Sequence, residues 1–392
     1  MFFFQNMKFV NIKKSKKYTS AVDTLLFFIY YIEHQHAAVA QLVEQQTENL
    51  RVVGSIPTGG KKTSEIFRSL FFYMRMKSSV FSNGLFYSAS DFYKEKFGCK
   101  VYKISLDAGC TCPNRDGTKG TGGCIFCSGT GSGEFAADRT LSIPLQVEQA
   151  KSRVRAKNSG GRFIAYFQNF TSTYGDENLL MKKYTEALYQ PDIAGLSVAT
   201  RPDCLSDSIL SFFASLSEKT FVSIELGFQT ANELSAAYIH RAYPDCVYND
   251  AVRRIKSASP KIHIVTHVIF GLPGETERDM LDTVRYCIMA GTDGIKISLL
   301  HVLSGTALEA DYAEGKFKTM EMQEYFDVLG KALQIIPPGI VIHRLTGDGA
   351  KKLLISPIWT ASKKSVYNKM TSYLRENHIV QGEKMCEVSS AL

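Results

Sequence analysis

From Phe86 onward, short apolar runs rich in β-branched and aromatic residues alternate with longer stretches in which apolar residues recur at helical spacing. This alternation is typical of an α/β protein, in which crossover helices join the strands of a parallel sheet. The pattern predicts strands at residues 101–106, 163–167, 195–199, 222–226, 263–270 and 294–299. It predicts helices near residues 144–157, 178–189, 206–216, 245–257 and 277–290.

Six such units predict an open, partial (β/α)6 barrel of the TIM type, followed by a small appended region. In barrels of this kind the chemistry lies at the carboxyl ends of the strands. A prolyl pair after a helical stretch ends the last unit, and residues 341–348 could add an edge strand. We therefore divide the chain into an N-terminal extension (1–73), a barrel (74–336) and a C-terminal appended region (337–392).

The first segment, residues 1–73, does not have the pattern of a folded domain. Its apolar run, residues 21–31, is shorter than the ~20 residues that a membrane helix needs. A signal peptide is an alternative, but residues 38–57 resemble the conceptual translation of a bacterial transfer-RNA gene. We therefore expect a spurious or disordered extension, with translation beginning at Met74 or Met76. A genuine amphipathic extension is the other interpretation.

Composition narrows the function classes. The 392 residues, 45% of them hydrophobic, suffice for one large domain or two. Nine cysteines without regular pairing do not resemble a secreted disulfide framework, so we expect a reducing, cytoplasmic location and no membrane partner. The formal net charge of +8 is modest for this length, and it permits an RNA partner without requiring one.

The clearest candidate for chemistry is the polar, glycine-rich loop DAGCTCPNRDGTKGTGGCIFCS, residues 107–128, which follows the first predicted strand. A structural zinc site would use four thiolates around one ion, whereas an iron–sulfur cluster with one open iron would use three. Cys124 and Cys127 are spaced to reach one centre, and Cys112 returns to it across a glycine-rich turn. Cys110 would point the opposite way in an extended segment, so it is the weak fourth ligand.

This loop resembles the cluster loop of the radical S-adenosylmethionine (radical SAM) superfamily. The phrase DAGxTCPNRDGT, followed by GGCxFC, is similar to the YhcC-like branch related to the Elp3 catalytic domain, and the likeness covers residues 86–384. The resemblance implies that Cys112, Cys124 and Cys127 bind three irons of a 4Fe-4S cluster whose fourth iron binds S-adenosylmethionine. It further implies reductive cleavage to a 5′-deoxyadenosyl radical that takes hydrogen from a substrate, with flavodoxin or ferredoxin as the type of electron donor.

The resemblance also implies a binding segment for the methionine amino group. Gly175, Asp176 and Glu177 occupy the place of the superfamily's Gly-Gly-Glu segment, with Asp176 replacing the second glycine. In this role Glu177 would pair with the ammonium group. The structural alternative is a helix N-terminus, where early acidic residues are favourable.

Further polar residues follow the third, fourth and fifth predicted strands. Arg201 could bind the methionine carboxylate, and either Glu225 or Gln229 could bind the ribose hydroxyls. A structural ion pair between Arg201 and Glu225 is the alternative. Gly271 and Gly274, in the sequence Gly-Leu-Pro-Gly-Glu, would let the backbone approach the adenine.

The sequence does not fix the substrate, which could be RNA, as the Elp3 relationship suggests, a peptide or a small metabolite. The rival interpretation is a non-catalytic, zinc-stabilised RNA-binding or scaffold protein that uses all four thiols of the loop. That interpretation leaves the adenosine-binding motifs unexplained. His301, after the sixth predicted strand, is a further candidate, although a lone histidine is more often structural.

Overall fold

The computed structural model describes residues 81–131, 133–154, 160–347, 349 and 351–384. The predicted extension, residues 1–73, and the predicted starts at Met74 and Met76 lie outside the described residues. The boundaries proposed for the barrel and the appended region stay predictions. In the part of the chain that is described, no helix is long and apolar enough to cross a membrane.

Seven parallel strands form one sheet, which curls into a half-barrel. Six of them follow one another in chain order, and the seventh pairs with the last of these six. Two further short strands among the described residues form a separate antiparallel pair. The strands are β1 (Val101–Leu106), β2 (Arg162–Phe167), β3 (Ile193–Thr200), β4 (Phe221–Gln229), β5 (His263–Phe270), β6 (Gly294–Leu299), β7 (Val302–Leu303), β8 (Val341–Arg344) and β9 (Leu354–Ser356).

Helices connect successive strands and cover the outer face of the sheet. Their first turns are set by local side chains: Ser88 and Thr276 form capping boxes, and Ser206 accepts a bond from the N–H of Ile209. Among the described residues the helices are α1 (Ala89–Phe97), α2 (Ile143–Ser152), α3 (Glu177–Leu188), α4 (Asp207–Ser217), α5 (Glu233–Tyr238), α6 (Asp245–Ala258), α7 (Glu277–Ala290), α8 (Ala307–Ala313), α9 (Met322–Ile335) and α10 (Lys363–Glu376).

The predicted fold class, an open partial barrel, is confirmed. The predicted bounds of β1, β5 and β6 agree with the structure, and β2, β3 and β4 are longer than predicted by one, three and four residues. The edge strand expected after the prolyl pair is β8, so the sheet has seven strands rather than six. The short helices α5 and α8 and the β7–β9 pair were not predicted, because segments this short carry little periodicity.

Helix α1 closes the amino end of the barrel. Phe92 stacks on His263 with ring centroids 4.6 Å apart, and Tyr93 meets the ring of His343 edge-on at 6.2 Å. The segment before α1 pairs with β8, where the N–H of Ile342 donates to the carbonyl of Tyr87 over 2.8 Å. The lumen is therefore covered at this end of the sheet.

Gln381 joins the two ends of the described domain. Its backbone N–H donates to the Leu85 carbonyl, and its side-chain oxygen accepts from the N–H of Tyr87. Its side-chain nitrogen donates to the carbonyls of Pro337 and Ile340, both over 2.8 Å. Because the side chain is buried and fully bonded, it fixes both ends beside the start of β8.

Close packing between strands predicts the effect of one glycine substitution. A Cβ atom on Gly195 in β3 would lie 2.5 Å from the carbonyl oxygen of Phe221 in β4. Gly195→Ala should therefore lower the free energy of unfolding by about 1–3 kcal/mol through overpacking, measured by urea denaturation. Gly129→Ala is the matched control, because nothing lies within 4 Å of its Cβ position. Equal stability of the two variants would contradict this packing.

Candidate active site

The cysteine loop follows β1 at the carboxyl edge of the sheet, where two tight turns present its thiols. The N–H groups of Arg115 and Asp116 donate to the Cys112 carbonyl over 2.8 and 3.3 Å. The N–H of Cys127 donates to the Cys124 carbonyl over 2.9 Å. Each turn therefore holds its cysteine in a defined backbone position, although the loop has no regular secondary structure.

The Arg115 side chain connects the turn after Cys112 to the turn between Cys124 and Cys127. Its guanidinium donates to the carbonyls of Cys127 and Ser128 over 2.9 and 2.6 Å and lies 5.5 Å from the ring centroid of Phe170. Gly123 is required beside it, since its φ is +85° and a Cβ there would lie 2.8 Å from Arg115 Nε. The glycines of the loop thus allow an arginine to pack against the backbone between the cysteines.

Three of the four thiols form one electrostatic group. Burial raises the pKa of Cys124 to about 12, and the neighbouring Cys127 and Cys112 thiols contribute to the increase. Arg201 acts on Cys124 in the opposite direction. Binding of a metal centre would therefore have to release protons from these thiols.

Cys110 belongs to a different environment. It is 7% exposed and packs in the main hydrophobic core. Burial raises its pKa to about 11, and the charges that act on it are those of Asp107, Lys183 and Arg139. Cys110 also lines a cavity of about 270 Å³ that lies beside α3. The four thiols are therefore divided into one group of three and one separate side chain.

No single-ion site is preformed in the described part of the chain, where no three His, Cys, Asp or Glu side chains lie close enough to hold one metal ion.

The turn between Cys124 and Cys127 is anchored to two neighbouring loops. The N–H of Ile125 donates to the Ile239 carbonyl over 3.3 Å, and the Ile125 carbonyl accepts from the N–H of Leu308 over 2.9 Å. The Ile125 side chain packs in a small apolar cluster against which Phe126 also lies. These contacts connect the cysteine turn to the segment after α5 and to the start of α8.

Arg201, after β3, is paired with Asp203 rather than with Glu225. Its Nε and Nη2 donate to the two Asp203 oxygens, each over 2.9 Å, and Nη1 donates to the Arg241 carbonyl over 2.9 Å. Lys119 of the cysteine loop also bonds Asp203, over 2.5 Å. The expected alternative, an ion pair between Arg201 and Glu225, is therefore wrong. Asp203 instead ties β3 to the cysteine loop.

Glu225 lies deep in the barrel and is fully buried. Its carboxylate bonds one inward-facing side chain from each of the other five strands β1, β2, β3, β5 and β6. We call these six residues the lumen cluster: Lys103, Tyr166, Ser197, Glu225, His267 and Lys296. Because these five bonds engage both oxygens, Glu225 has no acceptor position left for ribose hydroxyls, and its expected role in ribose binding is corrected.

Comparison with known proteins identifies the family. The Radical SAM superfamily model matches residues 115–287, and the Radical_SAM C-terminal domain model matches residues 292–376. The chain belongs to the radical SAM superfamily. The first match includes Cys124 and Cys127 and begins three residues after Cys112.

Relatives of this radical SAM protein extend over most of its length. It is 40% identical over 301 residues to the uncharacterized protein YtqA of Bacillus subtilis, covering 76% of this chain and 93% of YtqA. It is 33% identical over 291 residues to YhcC of Escherichia coli, covering 74% and 92%. The Elp3 structure from Methanocaldococcus infernus is similar in fold, with a TM-score of 0.54 at 15% identity, covering 72% of this chain and 64% of that one.

The other expected cofactor residues of this radical SAM protein lie along the carboxyl edge. Gln229 ends β4 with φ +67°, and a Cβ on Gly227 would lie 2.9 Å from its side-chain nitrogen. Gly271 and Gly274 both have positive φ in the turn after β5. A Cβ at Gly271 would lie 2.9 Å from the sulfur of Met320, whereas nothing lies within 4 Å of the Gly274 position.

The segment 175–177 has a structural role in this radical SAM protein. Asp176 is the N-cap of α3 and accepts from the N–H of Leu179 over 3.0 Å, and Glu177 is the first residue of the helix. Gly175 and Asp176 line the cavity beside Cys110. For Asp176 the helix-terminus interpretation therefore fits better than a ligand role, and Glu177 as an ammonium partner stays a prediction.

Sequence reasoning missed Asn169, the second residue after β2. Its side-chain nitrogen donates to Asp107 over 2.6 Å. Its side-chain oxygen is buried and has no hydrogen-bond partner among the described residues, so it could accept a bond from a ligand N–H. A Cβ on Gly133 would lie 2.2 Å from Asn169, which is why glycine follows the cysteine turn. No motif would have indicated this role, because the contacts arise between two loops.

His301 lies close to the Gly347 backbone and keeps no assigned role.

The Asp203 pair predicts a pH-dependent stability. Burial would raise the pKa of Asp203, but the bonds from Arg201 and Lys119 outweigh burial and lower it. The stabilisation is therefore present at neutral pH and is lost as the pH falls through the pKa of the folded state. Asp203→Asn should lower the free energy of unfolding at pH 7 by about 1.5–3 kcal/mol, and its difference from the wild type should shrink below pH 4, measured by urea denaturation.

The exposed Asp250, paired with the exposed Arg253, provides the control. Asp250→Asn should change the stability little at any pH, because surface ion pairs contribute little. An Asp203→Asn effect of equal size at pH 7 and pH 3 would show that loss of shape, rather than loss of charge, causes it.

Proposed function

We propose that this protein is a radical SAM enzyme in which Cys112, Cys124 and Cys127 hold three irons of a 4Fe-4S cluster. The observation that carries the proposal is the grouping of these three half-buried thiols at the carboxyl edge of the barrel, with Cys110 apart. Soft thiolates are the ligands of such clusters. When bound, the cluster and S-adenosylmethionine would supply a 5′-deoxyadenosyl radical that takes a hydrogen atom from the substrate.

The residues around the thiols would bind and orient these groups. Arg201 uses three of its five N–H donors on Asp203 and Arg241, so each terminal nitrogen retains one donor for the methionine carboxylate. Phe126 and the apolar cluster around Ile125 would exclude water from one side of the iron centre. Gln229 and the turn of Gly271 and Gly274 remain the proposed positions for ribose and adenine.

The zinc alternative is less well supported. It requires Cys110 as a fourth ligand, and the Cys110 thiol packs in the core with other charges around it. An electron donor such as flavodoxin or ferredoxin stays a proposal that follows from the family. RNA, the substrate that the Elp3 relationship suggests, stays a prediction beside a peptide or a small metabolite.

Cysteine substitutions test the ligand assignment. Cys112→Ala, Cys124→Ala and Cys127→Ala should each abolish the cluster, because an iron loses its protein ligand. Cys110→Ala should retain it. The measurements are iron content and the visible absorption spectrum after anaerobic reconstitution, together with 5′-deoxyadenosine formed from S-adenosylmethionine under dithionite.

Cys246→Ala is the matched control, because this thiol is exposed and outside the loop. It should keep the iron and the nucleoside formation of the wild type. Complete loss of iron in Cys110→Ala would contradict the ligand set, and a colourless wild-type protein with one bound zinc would favour the non-catalytic alternative.

A further inference from the structure

The lumen cluster contains more positive than negative groups. Glu225 pairs with both Lys103 and Lys296. Two lysines, from strands on opposite sides of the lumen, thus share one carboxylate. Since buried charge is costly unless it is balanced, this arrangement favours a further anion in the lumen.

The pKa shifts agree with this imbalance. Burial lowers the pKa of Lys296 to about 7, Glu225 opposes the decrease, and Lys103 and Arg344 add to it. Burial lowers the pKa of His267 to about 4, with Lys296 acting in the same direction, so His267 is neutral and does not balance or add charge. A bound anion would stabilise the protonated form of Lys296.

The lumen is open toward the cysteine loop. Two residues further along the strands lies an upper layer of inward-facing positions, which are partly exposed on five of the six strands and buried only at Ala199 of β3. The five partly exposed residues, of which only Ile269 is large and apolar, are Ser105, Gln168, Gly227, Ile269 and Ser298. Below it, the Lys103 and His267 side chains keep 18% and 29% exposure. Because α1 covers the amino end, a ligand would enter from the carboxyl edge.

The depth of the cluster restricts the ligand. Glu225 lies four residues before the end of β4, which corresponds to about 13 Å along an extended strand. A terminal carboxylate or phosphate on a small molecule can reach this depth, whereas an internal phosphodiester of an RNA backbone has chain on both sides that would have to enter the lumen with it.

We propose that the lumen cluster binds the terminal carboxylate or phosphate of a small-molecule substrate. The inference rests on the proposed function, because that function places the radical at the mouth of the same lumen. Lys296 and Lys103 bind the anion, and the uncharged part of the molecule extends past the upper layer toward the cysteine loop. This defines the substrate class as a small organic anion.

Binding is measured by calorimetry on the full chain, purified anaerobically, at fixed ionic strength. Succinate and glycerol 3-phosphate are the anionic probes, and succinamide and glycerol are their neutral counterparts. The anions should bind and the neutral molecules should not. Lys296→Met should weaken anion binding by about tenfold or more, the equivalent of one charge-assisted hydrogen bond. Lys261→Met, at an exposed lysine that pairs with Glu218, is the matched control and should bind like the wild type.

A second measurement needs no variant. Carbamylation of the wild type by cyanate, followed by peptide mass spectrometry, reports the access of each lysine. Succinate should protect Lys296 and Lys103 several-fold but leave Lys261 unchanged, and succinamide should protect none of them. This readout remains available where Lys296→Met fails to fold.

Three results would overturn the proposal: equal binding of charged and neutral probes, no protection of Lys296, or an unchanged affinity in a folded Lys296→Met variant. Displacement of succinate by a single-stranded oligoribonucleotide, with protection of Lys296, would assign the lumen to RNA instead. Failure of the proposed function is distinguishable, because it appears as missing iron and missing 5′-deoxyadenosine while anion binding persists.

Discussion

The Glu225 carboxylate is the interaction on which the barrel interior depends. It has no exposed surface, and it bonds a side chain from every other strand of the first six. Strands β1 and β6 share no hydrogen bonds, since four strands lie between them in the sheet. Lys103 and Lys296 nevertheless meet at the same carboxylate. The hydrogen bonds and ion pairs of the Glu225 carboxylate therefore stabilise the curvature of the open sheet from inside, and the helices stabilise it from outside.

This interior charge could not be predicted from the strand pattern. Lys103 and Lys296 are single polar residues inside runs that are otherwise typical of buried strands, and the apolar residues beside them face the helices. The alternation of side chains along a strand predicted Glu225 on the inner face of the sheet. Its hydrogen-bond partners, however, come from other strands, and the most distant, Lys103, lies 122 residues away in the chain. Only the curvature of the sheet determines which inward side chains meet. The order of the strands was predictable, whereas the contacts across the lumen were not.

The loops also combine features that the sequence predicted with contacts that it did not. The cysteine spacing indicated which three thiols could share one centre, and the structure groups those three. It also separates Cys110 from Cys112, although one residue lies between them. The partners of Arg201 were not predictable, because Asp203 and the Arg241 carbonyl become neighbours only when the turns after β3 and α5 are formed. Asp176 was assigned from its position in a motif, and its helix-capping role became evident from the first turn of α3.

The bonds of Gln381 have a consequence for architecture. Residues 85 and 381 meet beside the start of β8, at the amino edge of the sheet, and the cysteine loop stands at the carboxyl edge. The two edges are separated by the full length of the strands. A fusion partner or an affinity tag that leaves the domain after residue 384 begins on the face opposite to the thiols. The point at which such an addition joins the described residues is therefore remote from the mouth of the barrel.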